Sequence, residues 1–163
     1  MSDGNIEPLP IDKQRQADAM LRGCEYQVWQ TVTAWLDLKA DEVLFVEGAE
    51  DFDVVGHTGA SVVQVKVSQH PLSLGREDVL VVVNNYWKLQ KLARDTRPVF
   101  RFLARGLASV ERGAPFGENT AGLDVWMRSK PTDSEILKIS EFLQKQEKLS
   151  ADIRVWLKQA GIQ

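Results

Sequence analysis

The sequence predicts an α/β domain in which a helix, three strands, a second helix and a fourth strand form the core. Three observations support this. Residues 63–67 alternate strictly between apolar and polar side chains, which is typical of a strand. Apolar residues recur every three or four positions in residues 18–38 and 76–94, which is typical of amphipathic helices. With 163 residues, of which 44% are hydrophobic, the chain is long enough for one buried core.

The first predicted helix spans residues 18–38. Its apolar positions are spaced by one, three or four residues and are Met20, Leu21, Cys24, Val28, Val32, Trp35 and Leu36. Cys24 is expected to be a small buried hydrophobe, and most of the five tryptophans are expected in the core. Residues 1–17 are polar and contain two prolines, so we expect a disordered arm before a single domain at 18–163.

Three short strands are predicted next, at residues 43–46, 52–55 and 62–67. Gly56 and Gly59 supply a turn between the second and the third. This turn predicts that Val55 and Val54 lie near Val62 and Val63, and therefore that Asp53 lies beside Gln64. Lys66 is then expected within reach of Asp51 or Asp53.

The remaining elements follow from the same signals. Pro71 and Gly75 separate the third strand from the second helix, and Pro98 precedes a fourth strand at 99–104. A polar, glycine-containing loop is expected at residues 108–121. Two C-terminal helices are predicted at 132–148 and 150–159. The predicted architecture is a mixed central sheet flanked by helices, with additional helices at the C-terminus.

Polar residues concentrate around the second and third strands. Side chains two residues apart on a strand share a face, so Gln64 and Lys66 lie together, as do Asp51 and Asp53. A strand that served only packing would have little use for them, because an unpaired buried polar group costs several kcal/mol. Carboxylates, an amide and an ammonium in this pattern suit a metal and phosphate site.

Several motifs together resemble a known family. They are RGCEYQVWQ with Gly23, Tyr26 and Gln27, then EDFDVV, QVK, NNYWKL, FRFLARG and GLDVW, covering roughly residues 20–130. The pattern resembles the PD-(D/E)xK nucleases, in the variant with Gln in place of the acidic residue. Within that superfamily it is similar to the double-stranded DNA endonuclease domain found at the N-terminus of CBASS effector proteins and of some antiviral STAND NTPases.

The resemblance implies a restriction-endonuclease-like fold and a set of site residues. The implied catalytic residues are Asp53, Gln64 and Lys66. The implied ligands of Mg²⁺, or of Mn²⁺ in its place, are Asp53, Asp51, Glu47 and Gln64. Gln27 matches the family's motif as an auxiliary residue, and Glu25 is compatible by position only. The spacing leaves open whether Asp51 or Asp53 is the aspartate of the motif.

Contacts with DNA would have to be local, because the net charge of the chain is −3. Basic residues follow one another from the second helix into the fourth strand and beyond it. The candidates for phosphate contacts are Lys88, Lys91, Arg94, Arg101 and Arg105. The alternative for each of them is an ordinary solvated side chain.

The function implied by the resemblance is metal-dependent endonucleolytic hydrolysis of double-stranded DNA, as the effector module of a bacterial anti-phage system. The expected partners are DNA, a fused or separate sensor, and further copies of the chain. A single cysteine fits a reducing cytosol, and no apolar run approaches the ~20 residues of a membrane span. Alternatives are a nuclease acting on RNA or on a DNA junction, and a catalytically silent binding module. In the silent module the acidic residues would lie in solvent at the edge of the hairpin. The charge of Lys66 would prevent an edge strand from pairing with other chains and aggregating.

Overall fold

The computed structural model describes residues 12–93, 98–130 and 134–160, with side chains from 18 to 159. A helix, three strands, a second helix and a fourth strand occupy the first two thirds of the chain, and three helices follow. The elements are α1 (Asp12–Leu36), β1 (Val43–Val46), β2 (Phe52–Gly56), β3 (Gly59–Val67), α2 (Glu77–Leu92), β4 (Val99–Arg105), α3 (Gly122–Arg128), α4 (Ser134–Gln144) and α5 (Ala151–Ala160). In this part of the chain no helix is both long and apolar enough to cross a membrane.

The four strands form one open mixed sheet in the order β1-β2-β3-β4. The first three pair antiparallel, and β4 lies parallel to β3 after the crossover through α2. A parallel pair requires such a crossover, since a tight turn reverses the direction of the chain. The α/β class, the mixed sheet and the order of elements in the core are confirmed.

The hairpin between β2 and β3 is tighter than the sequence predicted. Gly56 pairs with Gly59 and Val55 with Ala60, so only two residues form the turn. The prediction that Val55 and Val54 lie near Val62 and Val63 is therefore wrong by two positions, because they pair with Ala60 and Ser61. The reason is that β3 begins at Gly59, because two-residue connections suit the twist of antiparallel strands.

Helices cover both faces of the sheet. The ring of Tyr86 in α2 packs edge-on against Phe100, which lies opposite Val62 in the parallel ladder. The ring of Tyr26 in α1 lies 6.0 Å from the guanidinium carbon of Arg105, which is on the other face because side chains alternate along β4. We call these the α2 face and the α1 face of the sheet.

The main hydrophobic core lies beneath the C-terminal helices. Its buried members come from the segment after β3 and from α2 to α5: Leu72, Leu74, Val79, Leu80, Val125, Ile139, Leu143, Leu149, Ile153 and Leu157. Glu111 is buried beside this core and accepts hydrogen bonds from the backbone N–H groups of Leu74 (2.7 Å) and Gly122 (2.8 Å). The carboxylate thereby fixes the β4–α3 loop to the start of α2.

Several element boundaries differ from the predictions. Helix α1 begins at Asp12, inside the segment predicted to be an arm, and residues 1–11 lie outside the described part of the chain. The sequence missed α3, which has only seven residues and no side-chain cap. The predicted start of α4 at residue 132 also falls outside the described residues, and the helix ends at Gln144 rather than at 148.

Helix α1 packs in an unexpected orientation. None of its described side chains, from 18 to 36, is buried. Cys24 is exposed, which contradicts the prediction that it is a buried hydrophobe. Trp29 and Trp35 are each 62% exposed, so they do not belong to the core either. The apolar stripe that identified this helix in the sequence therefore does not face the sheet.

Candidate metal and phosphate site

The sheet brings the three predicted catalytic side chains to one face. Asp53 lies directly opposite Val62, and residues two apart on β3 share a face, so Asp53, Gln64 and Lys66 all project from the α2 face. Asp53 and Gln64 are diagonal neighbours across the ladder, a separation of roughly 7–8 Å between backbone positions. The predicted direct pairing of these two residues is replaced by this diagonal one.

The Asp53 carboxylate folds back over the β1–β2 turn. Its Oδ2 accepts a hydrogen bond from the backbone N–H of Ala49 at 2.8 Å. A Cβ at Gly48 would lie 2.2 Å from the same oxygen, so only glycine allows the carboxylate to occupy this place. The other oxygen, Oδ1, is buried and receives no hydrogen bond from the described protein groups.

Gln64 has a matching feature. Its side-chain oxygen Oε1 is buried and also lacks a hydrogen-bond donor among the described residues. Leaving a buried oxygen unpaired costs roughly 1–3 kcal/mol, more when the group is charged. The two oxygens belong to neighbouring strands and lie on one face of the sheet, and a bound cation or ordered water would satisfy each of them.

The adjacent carboxylates, Glu50 and Asp51, occupy different environments. Asp51 Oδ2 accepts a hydrogen bond from the backbone N–H of Val65 at 2.5 Å, so this carboxylate continues the ladder beyond the end of β2. Burial raises the pKa of Glu50, and the charges of Asp51 and Asp53 raise it further. A hydrogen bond with Asn85 and the charge of Lys88 partly offset the shift. Negative charge thus accumulates between this turn and α2.

Lys66 pairs with a residue that the sequence did not suggest. Its Nζ lies 3.5 Å from Oδ1 of Asp78 in the first turn of α2, whereas Asp51 or Asp53 was the expected partner. Arg76 Nη2 lies 3.3 Å from the other oxygen of Asp78. The side chains of Lys66 and Asp78 are 45% and 32% exposed, and such half-exposed ion pairs contribute at most about 1 kcal/mol. A phosphate could therefore replace Asp78 as the partner of Lys66.

The remaining predicted ligand and auxiliary residues lie elsewhere. Glu47 is exposed in the β1–β2 turn with a left-handed backbone (φ 54°), and its Oε1 accepts a 3.2 Å hydrogen bond from Gln27 Nε2. Helix α1 covers the opposite face of the sheet from Asp53, so Gln27 reaches the turn from the far side. Glu25 is exposed on α1. The structure thus does not join these three residues to the Asp53 and Gln64 oxygens.

The predicted phosphate-binding residues divide between two faces. Lys88 and Lys91 lie on α2, whereas Arg101 and Arg105 project from the α1 face of β4. Lys91 Nζ is 2.5 Å from Asp152 Oδ2, and this contact holds the pKa of the Asp152 carboxyl well below its usual range. Arg94 lies outside the described residues. The four candidates that can be placed therefore do not share one face of the sheet.

The donor set can be compared with what a metal requires. Among the described residues, no three histidine, cysteine, aspartate or glutamate side chains converge as a ligand group. Magnesium makes a smaller demand, for one or two carboxylates completed by water and phosphate oxygens. Asp53 and Gln64 offer hard oxygens that are buried and free of protein donors, so they fit a divalent cation. They are the residues that would hold it.

The contribution of α2 to the site was not evident from the sequence. Asp78, Asn85 and Lys88 all lie on this helix at spacings of seven and three residues, which places them along one side. Only Lys88 was singled out, and as a DNA contact. The polar residues on this valine-rich helix were the available sequence signal for its role at the site. Interpreting them required knowing which face of the sheet α2 covers.

Comparison with known proteins gives no further assignment. No protein-family model, curated protein or solved structure matches this chain.

Proposed function

We propose that this protein is a metal-dependent endonuclease that hydrolyses double-stranded DNA, with a restriction-endonuclease-like fold and a role as the effector module of an anti-phage system. One observation carries the proposal. The buried, unpaired oxygens of Asp53 and Gln64 share a face of the sheet with the ammonium of Lys66. Hard oxygens can hold a divalent ion, and an ammonium can neutralise charge on a phosphate; both contribute to phosphodiester hydrolysis.

Each residue has a distinct role in this proposal. Asp53 and Gln64 would hold the divalent ion, which when bound supplies charge neutralisation and an activated water. Lys66 binds a phosphate oxygen and stabilises the charge that develops on it in the transition state. The half-exposed pair with Asp78 keeps the ammonium oriented until the phosphate arrives. Arg76, on the other side of Asp78, is a second cation near the same position.

The surrounding surface supports one DNA approach over the other. Lys88 is exposed on α2 and close enough to Glu50 to lower its pKa, so it borders the site directly. Arg101 and Arg105 lie on the opposite face of the sheet. We therefore propose that the duplex backbone follows the α2 side, with Lys88 among its phosphate contacts.

The decisive variant is Lys66→Ala. The purified wild-type protein should cleave supercoiled plasmid and linear duplex DNA when Mg²⁺ or Mn²⁺ is present. It should not cleave them when a chelator removes the metal. The variant should cleave roughly 10²–10³-fold more slowly, as when one preorganised electrostatic donor is lost. Lys145→Ala, an exposed lysine on another surface, is the matched control and should cleave normally. Equal rates for Lys66→Ala and wild type would refute the assignment.

A binding measurement separates the cation from the chemistry. Divalent metal should raise the thermal unfolding temperature of the wild type, because a ligand that binds only the folded state stabilises it. Asp53→Asn should remove this metal-dependent rise. Identical metal responses of the two proteins would show that Asp53 does not hold the ion, whatever the cleavage assay gives.

A catalytically silent binding module is the second candidate. It is favoured by the neutralisation of Lys66 by Asp78 and by the division of the basic residues between two faces. The same assay distinguishes it, since a silent module would bind but leave duplex DNA, single-stranded RNA and a four-way junction intact with every metal. Cleavage of RNA or of the junction alone would keep the active site and change the substrate.

A further inference from the structure

Helix α1 turns its polar and small side chains toward the sheet. Most of the half-buried positions recur every three or four residues along one side of the helix and are Ala19, Gly23, Tyr26, Gln27, Gln30 and Ala34; Thr31 and Val32 are also half-buried. The contacts of Tyr26 with Arg105 and of Gln27 with Glu47 confirm that this side meets the sheet and its turn. Apart from half-buried Val32, the apolar stripe of the same helix points away from the other described elements.

The exposed side of α1 presents an unusually large apolar surface. The exposed fractions are Met20 72%, Leu21 67%, Val28 60%, Trp29 62%, Trp35 62% and Leu36 72%. A large aromatic side chain buries roughly 150–250 Å² and an aliphatic one somewhat less, so these six leave on the order of 800 Å² uncovered. The largest apolar patch of a monomer is typically about 300–600 Å². A stable dimer buries roughly 800 Å² from each partner, so the patch has the size of such an interface.

The order of residues along the stripe indicates which partner fits. Apart from Trp29, the apolar positions are symmetric about Val28, since reversal of the helix exchanges Met20 with Leu36, Leu21 with Trp35 and Cys24 with Val32. An isologous interface requires that a surface match itself after a two-fold rotation. A stripe that reads the same in both directions meets this requirement when two copies of the helix pack antiparallel.

We propose that the exposed face of α1 binds a second copy of this chain, with the two α1 helices antiparallel and Val28 on the two-fold axis. Leu21 of each copy then packs against Trp35 of the other, and Met20 against Leu36. The polar side of each helix remains on its own sheet. This proposal does not depend on the nuclease assignment, since it uses no residue of the metal and phosphate site.

The oligomeric state of the full chain tests the interface. Sedimentation equilibrium should show a dimer at micromolar concentration. Val28→Glu should weaken dimerisation by roughly 100-fold or more, because like charges facing each other across an interface cost several kcal/mol. Met127→Glu, a change of similar kind at an 80% exposed residue of α3, should leave the dimer unchanged. Circular dichroism checks folding, and Leu21→Lys replaces Val28→Glu if that variant does not fold.

Two results would overturn the interface. One is a wild-type chain that stays monomeric up to roughly 100 µM, where even a weak specific dimer would form. The other is a dimer that both α1 variants leave intact, which would place the contact on another surface.

Disulfide cross-linking tests the antiparallel orientation. Cys24 of one copy would lie level with Val32 of the other, so the two Cys24 residues would be eight residues, about 12 Å, apart along the axis. A disulfide needs Cα atoms within about 7 Å. Diamide, which takes two electrons from a pair of thiols, should therefore not link wild-type copies. Cys24→Ser/Val28→Cys should link readily. A wild-type Cys24 link, or no link through residue 28, would contradict the antiparallel arrangement.

Discussion

The two ends of this molecule are built on different principles. From Leu72 onward, buried leucines, isoleucines and valines of α2 to α5 form a continuous core. Among the described residues before the β2–β3 turn, only Phe52 is buried, and α1 exposes most of its apolar side chains. Asp53 lies in the thinly packed part, whereas Gln64 and Lys66 lie on β3, between the two regions. The well-packed helices provide stability, while the hairpin and α1 carry the groups that we propose contact ligands or partners.

Helix α2 connects the two regions. Val79 and Leu80 contribute to the buried core, whereas Asp78 contacts Lys66 at the site. A core-anchored helix can hold a polar side chain in one place, because its own position is fixed by packing. Substitutions in the buried core are therefore expected to change the free energy of unfolding more than substitutions in the thinly packed part.

The largest expected effect is on the core. Leu74 is fully buried, so Leu74→Ala should lower the free energy of unfolding by about 2–5 kcal/mol through lost burial and a cavity. Leu21→Ala, at a 67% exposed position of α1, should change it by roughly 0.5 kcal/mol or less at concentrations where the chain is monomeric. Urea unfolding measures both. Similar losses for the two variants would remove the distinction between the regions.

A polar residue of the core should have an intermediate effect. Glu111→Ala leaves the backbone N–H groups of Leu74 and Gly122 without their acceptor, and an unsatisfied buried donor costs about 1–3 kcal/mol. Glu118→Ala, an exposed carboxylate of the same loop, should be nearly neutral. Thermal and urea unfolding would measure the difference. If Glu111→Ala were as stable as Glu118→Ala, the loop would not depend on this carboxylate.

The smallest effect concerns Glu50 and depends on pH. Burial and then Asp51 raise the pKa of Glu50 above its ordinary value of 4.5, so the folded state favours the protonated form. The ionised carboxylate therefore destabilises the fold as the pH rises through the raised pKa, and the effect is absent well below 4.5. In chelator, Glu50→Gln should slightly raise the unfolding temperature at pH 7 and not at low pH. A destabilised variant at pH 7 would contradict this sign.

Local pattern was sufficient for much of the fold. The alternation in β3 placed Gln64 and Lys66 on one face, and this needs only the geometry of a strand. The proline and glycine signals separated α2 from its neighbouring strands to within two residues. Short α3 was missed because seven residues carry too little periodicity to identify a helix.

The partners of those residues depended on the assembled molecule. The hairpin register shifted by two because the length of the turn is chosen by the twist of both strands. Lys66 forms an ion pair with Asp78 rather than with Asp51 or Asp53, because the crossover places α2 on the face of the sheet from which Lys66 projects. Cys24 became exposed because helical periodicity identifies an apolar stripe without saying what it will face.

The sequence by itself therefore determined the order of the core elements, the sharing of a face by Gln64 and Lys66, and the apolar stripe of α1. These properties follow from periodicities of two and 3.6 residues within single elements. Only the tertiary structure decided the register, the ion pair of Lys66, the division of the basic residues and the outward direction of that stripe. Each of these depends on contacts between elements distant in the chain, whose energies local periodicity does not contain.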